Sequence, residues 1–322
     1  FTGRDGMRAV ERTAKTTAKL LGCGLEEVFV SSTGVIGVKL PVDMIEASLP
    51  ALVTALDGAA TNRAVRAIMT TDTFPKAARR VARIGKTDVT IFGFCKGSGM
   101  IAPDMATMLG YVFTDAKLPA SVLRSLLRDA AEKSFNCMTV DGDTSTSDTV
   151  LLAATGQAKH AAIRSAGDGA LEQFRAQLDA VMIELAQLVA KDGEGAQKFV
   201  TIKIGGAASA ASARKIALAV ANSPLVKTAI AAGDANWGRV VMAIGKSGEK
   251  ANRDRTSVAI GGVTIAHRGD PVPGYDEAPV AKHMAGRDIS IEADVGVGRG
   301  RATVWTCDLT HGYVDINGSY RS

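Results

Sequence analysis

One threonine in this sequence changes its chemistry according to whether the chain is cut beside it. The segment Ile101-Ala-Pro-Asp-Met-Ala106-Thr107-Met-Leu-Gly110 places Thr107 at the head of a strand-like apolar run. On propensity alone, a β-branched residue there is packing. At the start of a chain it becomes a nucleophile, because its own α-amine, with an unperturbed pKa of about 7.7–8.0, can take the hydroxyl proton near neutral pH. An internal threonine has no such base. The catalytic reading therefore requires the Ala106–Thr107 bond to break.

The other motifs are weighed against simpler uses. Lys96-Gly-Ser-Gly99 lacks the residue order that cradles nucleotide phosphates. Gly296-Val-Gly298-Arg-Gly300 follows a strand but precedes another strand, so no helix N-terminus is offered to a pyrophosphate, and a hairpin turn is expected. Asp141-Gly-Asp143-Thr-Ser145-Thr-Ser147-Asp148 resembles a calcium loop, but Thr146 stands where a Gly is needed and Leu152 where a bidentate Glu is needed. Two readings of that loop stay open: a turn held by local side-chain hydrogen bonds, or polar support for an active site. Cys23, Cys95, Cys137 and Cys307 include no CxxC pair, and His160, His267, His283 and His311 are scattered. No metal site is expected, and the cysteines read as free thiols of a reducing compartment.

Composition narrows the class. The chain has 322 residues, 46% hydrophobic and 22% charged, enough for a sizeable core of one large domain or two. Only 5% are aromatic while 34 are Gly, so the core should be aliphatic and the turns many. The net charge of +5 has no basic stripe interleaved with aromatics, which speaks against nucleic acid. The densest basic run, Lys76–Arg83, reads as the wet side of a helix. No apolar stretch reaches membrane-spanning length and no signal peptide opens the chain, so a soluble cytoplasmic protein is expected. The chain opens at Phe1-Thr-Gly-Arg4 without Met and runs straight into a helix, which reads as a fragment.

The elements that must position Thr107 alternate irregularly. Helices are expected over Met7–Leu21, 42–57, 59–69, 119–135, 168–191, 208–221 and Trp237–Ile244. Of these, 168–191 is the clearest, with Leu171, Phe174, Leu178, Val181, Leu185 and Leu188 three and four apart. Strands are expected over Glu27–Ser31, Asp88–Phe94, Thr107–Phe113, Thr149–Ala154, Phe199–Ile204, Thr256–Ala266, Ile289–Asp294, Ala302–Asp308 and Gly312–Ile316. Without a regular βαβ rhythm, this favours an α+β fold of mixed layers.

Several stretches, in order along the whole chain, resemble the ornithine acetyltransferase (glutamate N-acetyltransferase, ArgJ) family. They are Ser31-Ser-Thr-Gly-Val-Ile-Gly37, Ile68-Met-Thr-Thr-Asp-Thr73, Lys96 to Leu109, Val140 to Thr149, Asn222-Ser-Pro-Leu-Val-Lys-Thr228, Asp234-Ala-Asn-Trp-Gly-Arg239 and Ile316-Asn-Gly-Ser-Tyr-Arg-Ser322. The resemblance implies a self-processing, N-terminal-nucleophile-type fold with sheets packed against helices. It implies cleavage between Ala106 and Thr107 into an α chain (1–106) and a β chain (107–322), two of each per assembly. Ping-pong transfer would then carry acetyl from N-acetylornithine through Thr107 to glutamate, with acetyl-CoA as a further donor in some members and no cofactor. By matching position, Thr33 and Gly34 would stabilise the oxyanion, and Thr70, Lys96, Thr107, Glu194, Asn317 and Ser322 would bind substrate. Lys96 would hold a carboxylate and Glu194 an amino group. Without the resemblance, Asp192-Gly-Glu194-Gly195 reads as a helix-ending turn, Asn317 and Ser322 as a frayed terminus, and Asp234–Arg239 as a helix start with a buried Trp.

Two departures from the family pattern stand out. Family members carry a longer α chain, so part of its N-terminal side is expected to be missing, and Ser322 stands where many members end in Thr. The nearest rival is a self-processing amidohydrolase or aminopeptidase in which water accepts the acyl group; acceptor dependence separates the two.

Overall fold

The apolar period between Leu171 and Leu188 forms the spine of the molecule. The computed structural model describes residues 1–102, 108–145 and 147–319. Helices α1 (Gly3–Leu21), α2 (Val42–Thr54) and α3 (Thr61–Ala67) precede strands β1 (Lys76–Ile84), β2 (Thr87–Lys96) and β3 (Leu109–Thr114). Next come α4 (Ala120–Lys133), β4 (Thr149–Ala154), α5 (Glu172–Lys191), β5 (Phe199–Ala207), α6 (Ala210–Ala221), α7 (Pro224–Ala231) and α8 (Trp237–Lys246). The remainder holds β6 (Ser257–Ile260), β7 (Val263–His267), β8 (Asp270–Pro271), α9 (Glu277–Met284), β9 (Asp288–Asp294), β10 (Gly300–Cys307) and α10 (His311–Ser319).

Two sheets result, as the α+β reading anticipates. The first runs β1-β2-β3-β4, with β3 and β4 parallel; the second runs β10-β5-β9-β6-β7-β8, with β5 and β9 parallel. Helix α5 lies on β1 and β2 and also reaches β10, joining the sheets, while α6 covers β5 and β10. Phe174, Leu178, Val181, Met182 and Leu185 on α5 are wholly buried, and Val200, Ile202 and Ile204 on β5 face the same core. Among the described residues no helix is long and apolar enough to cross a membrane, and all four cysteines are free. Burial pushes the Cys95 thiol up to about 12, which keeps it inert at neutral pH.

Four expectations are corrected. The run Lys76–Arg83 is not the outside of a helix but strand β1, which alternates buried Lys76, Ala78, Ala82 and Ile84 with more exposed neighbours. Its inward positions include a lysine and two small alanines, so the period of two is faint in the sequence. Glu27–Ser31 is not a strand: a short 3₁₀ turn at Leu25–Glu27 leads into extended chain that joins neither sheet. Gly312–Ile316 belongs to a helix, α10, whose alternating apolar residues Val314 and Ile316 lie exposed. The Gly296–Gly300 stretch is not a hairpin, because β5 lies between β9 and β10. Val297 and Gly298 donate their N–H groups to Gly206 O at 2.7 Å each as the loop crosses the end of β5. Helices α7 and α9 were not expected from the apolar pattern.

The Leu185 side chain packs against the β2 backbone so closely that a Cβ on Gly93 would sit 2.9 Å from its Cδ1. Truncation there leaves a cavity that neither sheet can close. Leu185→Ala is expected to lower the unfolding free energy by about 2–5 kcal/mol, read as a shift in the urea midpoint at constant slope.

Candidate active site

The cleft is assembled mostly from turns, joined by Lys96 at the end of β2 and by one face of α10. It holds about 180 Å³ and is bordered by Thr33, Gly34, Thr70, Lys96, Glu194 and Asn317. Those six residues come from five separate parts of the chain. Tyr313 and Asn317 reach it together because they stand four apart on α10, one turn above each other.

A buried ion cluster beneath the cleft fixes these turns to one another. Lys76, with 0% of its side chain exposed, donates its ammonium to Asp72 Oδ1 at 2.6 Å and to Asp192 Oδ2. Asp72 also accepts the N–H of Gly97 (2.8 Å) and of Thr70 (3.1 Å). Asp192 accepts the N–H (3.0 Å) and hydroxyl of Thr73, and its carbonyl accepts the Ser98 hydroxyl. Burial pushes the Asp72 carboxyl up, but the Lys76 ammonium and the N–H groups of Gly97 and Thr70 more than offset this and hold it below its ordinary value. One buried cation thereby sets the relative positions of the Thr70, Lys96–Ser98 and Asp192–Glu194 turns.

The walls above this cluster carry opposite charges. Glu194, 9% exposed, is held by its own N–H donating to Ser98 O (2.9 Å) and by Asn317 Nδ2 donating to its Oε2 (2.8 Å). A Cβ at Gly99 would push this carboxylate aside, and at Gly195 (φ +71°) one would meet the backbone of Gly312 and Tyr313, so only glycine fits at Gly195. Lys96, 3% exposed, has no hydrogen-bond partner for its ammonium among the described residues. Burial lowers its pKa, opposed by Asp72, Asp148 and Glu194. Burial likewise pushes the Asp148 carboxyl up to about 7, against the Met108 N–H it accepts and the charge of Lys96. Tyr313, whose hydroxyl donates to Asp141 Oδ2 at 3.3 Å, is raised by burial and then by Asp141. A buried cation and a buried anion on one small cleft suit a zwitterionic ligand of amino-acid size.

The residues read from the sequence fall into two groups. Thr33, Gly34, Thr70, Lys96, Glu194 and Asn317 converge on this cleft. Ala106, Thr107 and Ser322 lie outside the described residues. The Asp234–Arg239 stretch starts α8 through its Asn236 cap, leaves Trp237 half-buried, and does not border the cleft. Sequence reasoning missed Thr71, Ser98 and Tyr313 as lining residues, and Lys76, Asp72 and Asp192 as their support. Nothing in a Lys followed by alanines and arginines signals a buried ion. Asp141, Asp143, Ser145 and Ser147 also line the cleft, which favours the active-site reading of their loop over a merely local turn.

Two joined sheets and a charged, amino-acid-sized cleft define an α+β enzyme that acts on small molecules. The chain belongs to the ArgJ family, which it matches over residues 1–322. The arginine biosynthesis bifunctional protein ArgJ of Gluconobacter oxydans is 60% identical over 322 residues, covering 100% of this chain and 76% of that protein. Its counterpart from Zymomonas mobilis is 52% identical, with 100% and 78% covered. A crystal structure of arginine biosynthesis bifunctional protein argJ from Bacillus halodurans superposes with a TM-score of 0.63 at 35% identity, covering 65% of this chain and 98% of that chain.

Lys76→Met removes the cation between the two buried carboxylates of Asp72 and Asp192. Such a change is expected to destabilise the fold by about 3–5 kcal/mol, measured by urea unfolding at pH 7; a surface lysine would give almost nothing. The Asp72 contribution has the sign of a depressed carboxylate, full above about pH 4 and lost as pH falls through the folded-state value. The Lys76→Met deficit should therefore shrink in acid.

Proposed function

We propose that this chain is the acetyltransferase of arginine biosynthesis that moves acetyl from N-acetylornithine to glutamate through Thr107. The observation that carries the reading is the convergence of Thr33, Gly34, Thr70, Lys96, Glu194 and Asn317, distant in sequence, on one cleft. Family membership and the names of the relatives point the same way.

In this reading the Ala106–Thr107 bond breaks first, leaving an α chain of residues 1–106 and a β chain of residues 107–322. Strand β2 of the first pairs with β3 of the second from Ile91↔Thr114 to Lys96↔Leu109, and α5 packs on β1 and β2. The two pieces thus share a sheet and a core, so cutting would not release them.

Once free, the Thr107 amine takes the hydroxyl proton as Oγ attacks the acetyl carbon. The Thr33 hydroxyl and Gly34 N–H donate to the oxyanion, where such donors contribute several kcal/mol, roughly 3–4 for one of them. Lys96, buried and without a hydrogen-bond partner among the described residues, takes the substrate carboxylate; Glu194, oriented by Asn317, takes an ammonium. Ornithine leaves, and the glutamate amine removes acetyl from Thr107. The chemistry calls on no cofactor; acetyl-CoA is a second donor to be tried in the same assay. Ser322 is assigned to substrate binding, the assembly is α2β2 and the compartment is the cytoplasm. Neither nucleic acid nor membrane is a partner.

Intact mass with N-terminal sequencing tests the first step: two chains are expected, one starting Thr107-Met-Leu-Gly, and Thr107→Ala should stay whole. For the transfer step, N-acetylornithine should disappear much faster with glutamate present; equal rates with water alone would favour an amidohydrolase. Glu194→Gln is expected to raise the KM for N-acetylornithine about tenfold or more through the lost charge-assisted bond. An unchanged KM would remove Glu194 from substrate binding.

A further inference from the structure

The acidic, hydroxyl-rich stretch from Asp141 to Asp148 has no part in the chemistry above. Its two end aspartates nonetheless grip the two sides of one short piece of chain. Asp141 accepts the N–H groups of Met100 (2.7 Å) and Ile101 (3.0 Å). Asp148 Oδ1 accepts the N–H of Met108 at 2.7 Å. The residues beside them complete the grip: Thr139 Oγ1 and Val140 N donate to Ile101 O at 2.9 and 2.8 Å, and Thr149 N donates to Met108 O at 3.0 Å. Between these anchors lie residues 103–107, outside the described residues, and with them the Ala106–Thr107 bond.

Two details mark these grips as more than turn chemistry. Met100 is held at φ 54°, a conformation that side chains disfavour, by the Asp141 carboxylate. Asp148 Oδ2 is buried without a hydrogen-bond partner among the described residues, although a carboxylate oxygen normally finds one.

We propose that Thr139, Val140, Asp141, Asp148 and Thr149 form the positioning clamp of the self-cleavage step, with Asp141 fixing the upstream side and Asp148 the downstream side. This rests on the cleavage reading given above. In that step the Thr107 hydroxyl adds to the Ala106 carbonyl carbon and the C–N bond breaks, the nitrogen keeping the electron pair and taking the hydroxyl proton. Water then opens the ester, giving the Ala106 carboxylate and restoring the Thr107 hydroxyl. Attack by a neighbouring side chain on its own backbone demands tight alignment, and anchors on both flanks supply it. Charge-assisted bonds from N–H to carboxylate are suited to the task. Asp141 and Asp148 are positioning residues: Asp148 holds the N–H of Met108 next to the reacting bond, and Asp141 holds Met100 and Ile101 upstream of it.

The charge on Asp148 adds a readout. Its carboxyl, pushed up to about 7 chiefly by burial, is acted on by the Lys96 ammonium from β2, itself flanked by Asp72, Lys76 and Glu194. The ionised form grips Met108 more strongly, so cleavage should quicken as pH rises through 7. The Thr107 amine is freed only when the C–N bond breaks and could act on the later ester opening, so a rise due to Asp148 is recognised by its loss in Asp148→Asn.

The test is a time course of intact mass at pH 6, 7 and 8 for the wild-type chain, Asp148→Asn, Asp148→Ala, Asp141→Asn and Thr107→Ala, with circular dichroism as a check on folding. Asp148→Ala should cleave about a hundredfold more slowly, the scale set by small misplacements of reacting groups. Asp148→Asn, which keeps a neutral acceptor of the same shape, should cleave at an intermediate rate and lose the rise through pH 7; if the alanine variant does not fold, this one decides. Asp141→Asn should slow cleavage but keep that rise. Wild-type rate and pH profile in Asp148→Asn would overturn the clamp while leaving self-cleavage intact. A wild-type chain that stays whole, like Thr107→Ala, would instead overturn the cleavage reading, and the clamp with it.

Discussion

The Lys76 ammonium, wholly buried between the carboxylates of Asp72 and Asp192, is the interaction on which the site depends. A charge taken out of water must be met by charge and by hydrogen bonds on every side. Here those obligations are discharged by backbone groups of the turns that build the cleft: Thr70 and Gly97 on Asp72, Thr73 on Asp192. Moving any one of these turns would leave a buried polar group unsatisfied, so their mutual placement is stiff. A cluster of apolar side chains would have filled the same space without specifying which backbone groups must meet.

The same economy of burial shapes the groups that face the ligand. Lys96 follows the inward Cys95 at the end of β2, half under the core, and its partners are carboxylates at one remove rather than an ion pair. Glu194 sits just past the end of α5, where Asn317 from α10 and the Ser98 carbonyl orient it. Each is anchored by an element whose other face is core, so the position of a cleft charge is inherited from the packing of α5 between the sheets. Displacement of that helix would be felt at Asp192 and Glu194 together.

The first sheet also crosses the point where the chain is proposed to break. Strands β1 and β2 precede it and β3 and β4 follow it, yet all four are hydrogen-bonded in one layer. The second sheet and α6 to α10 belong wholly to the later part. An enzyme organised this way can expose a new chain end inside a finished structure without coming apart, because the ladders on both sides are already closed.

Much of this was legible in the sequence. The period of α5, the strand β2 and the turn after it follow from apolar spacing and glycine placement, because a helix or strand with one buried face must write that face into its residues. The six cleft residues were legible through family resemblance, which carries positional information that spacing alone lacks; unaided, Glu194 is a turn and Asn317 a loose end. What only the tertiary structure decided is which polar residues are inside. Lys76 looks like solvent-facing charge in a run of alanines and arginines, and α10 looks like a strand, because burial of an ion and the choice of face are settled by partners more than a hundred residues away, such as Asp192 for Lys76 and Glu194 for Asn317. Local sequence records how a segment prefers to fold; it does not record the distant carboxylate that makes a buried lysine affordable.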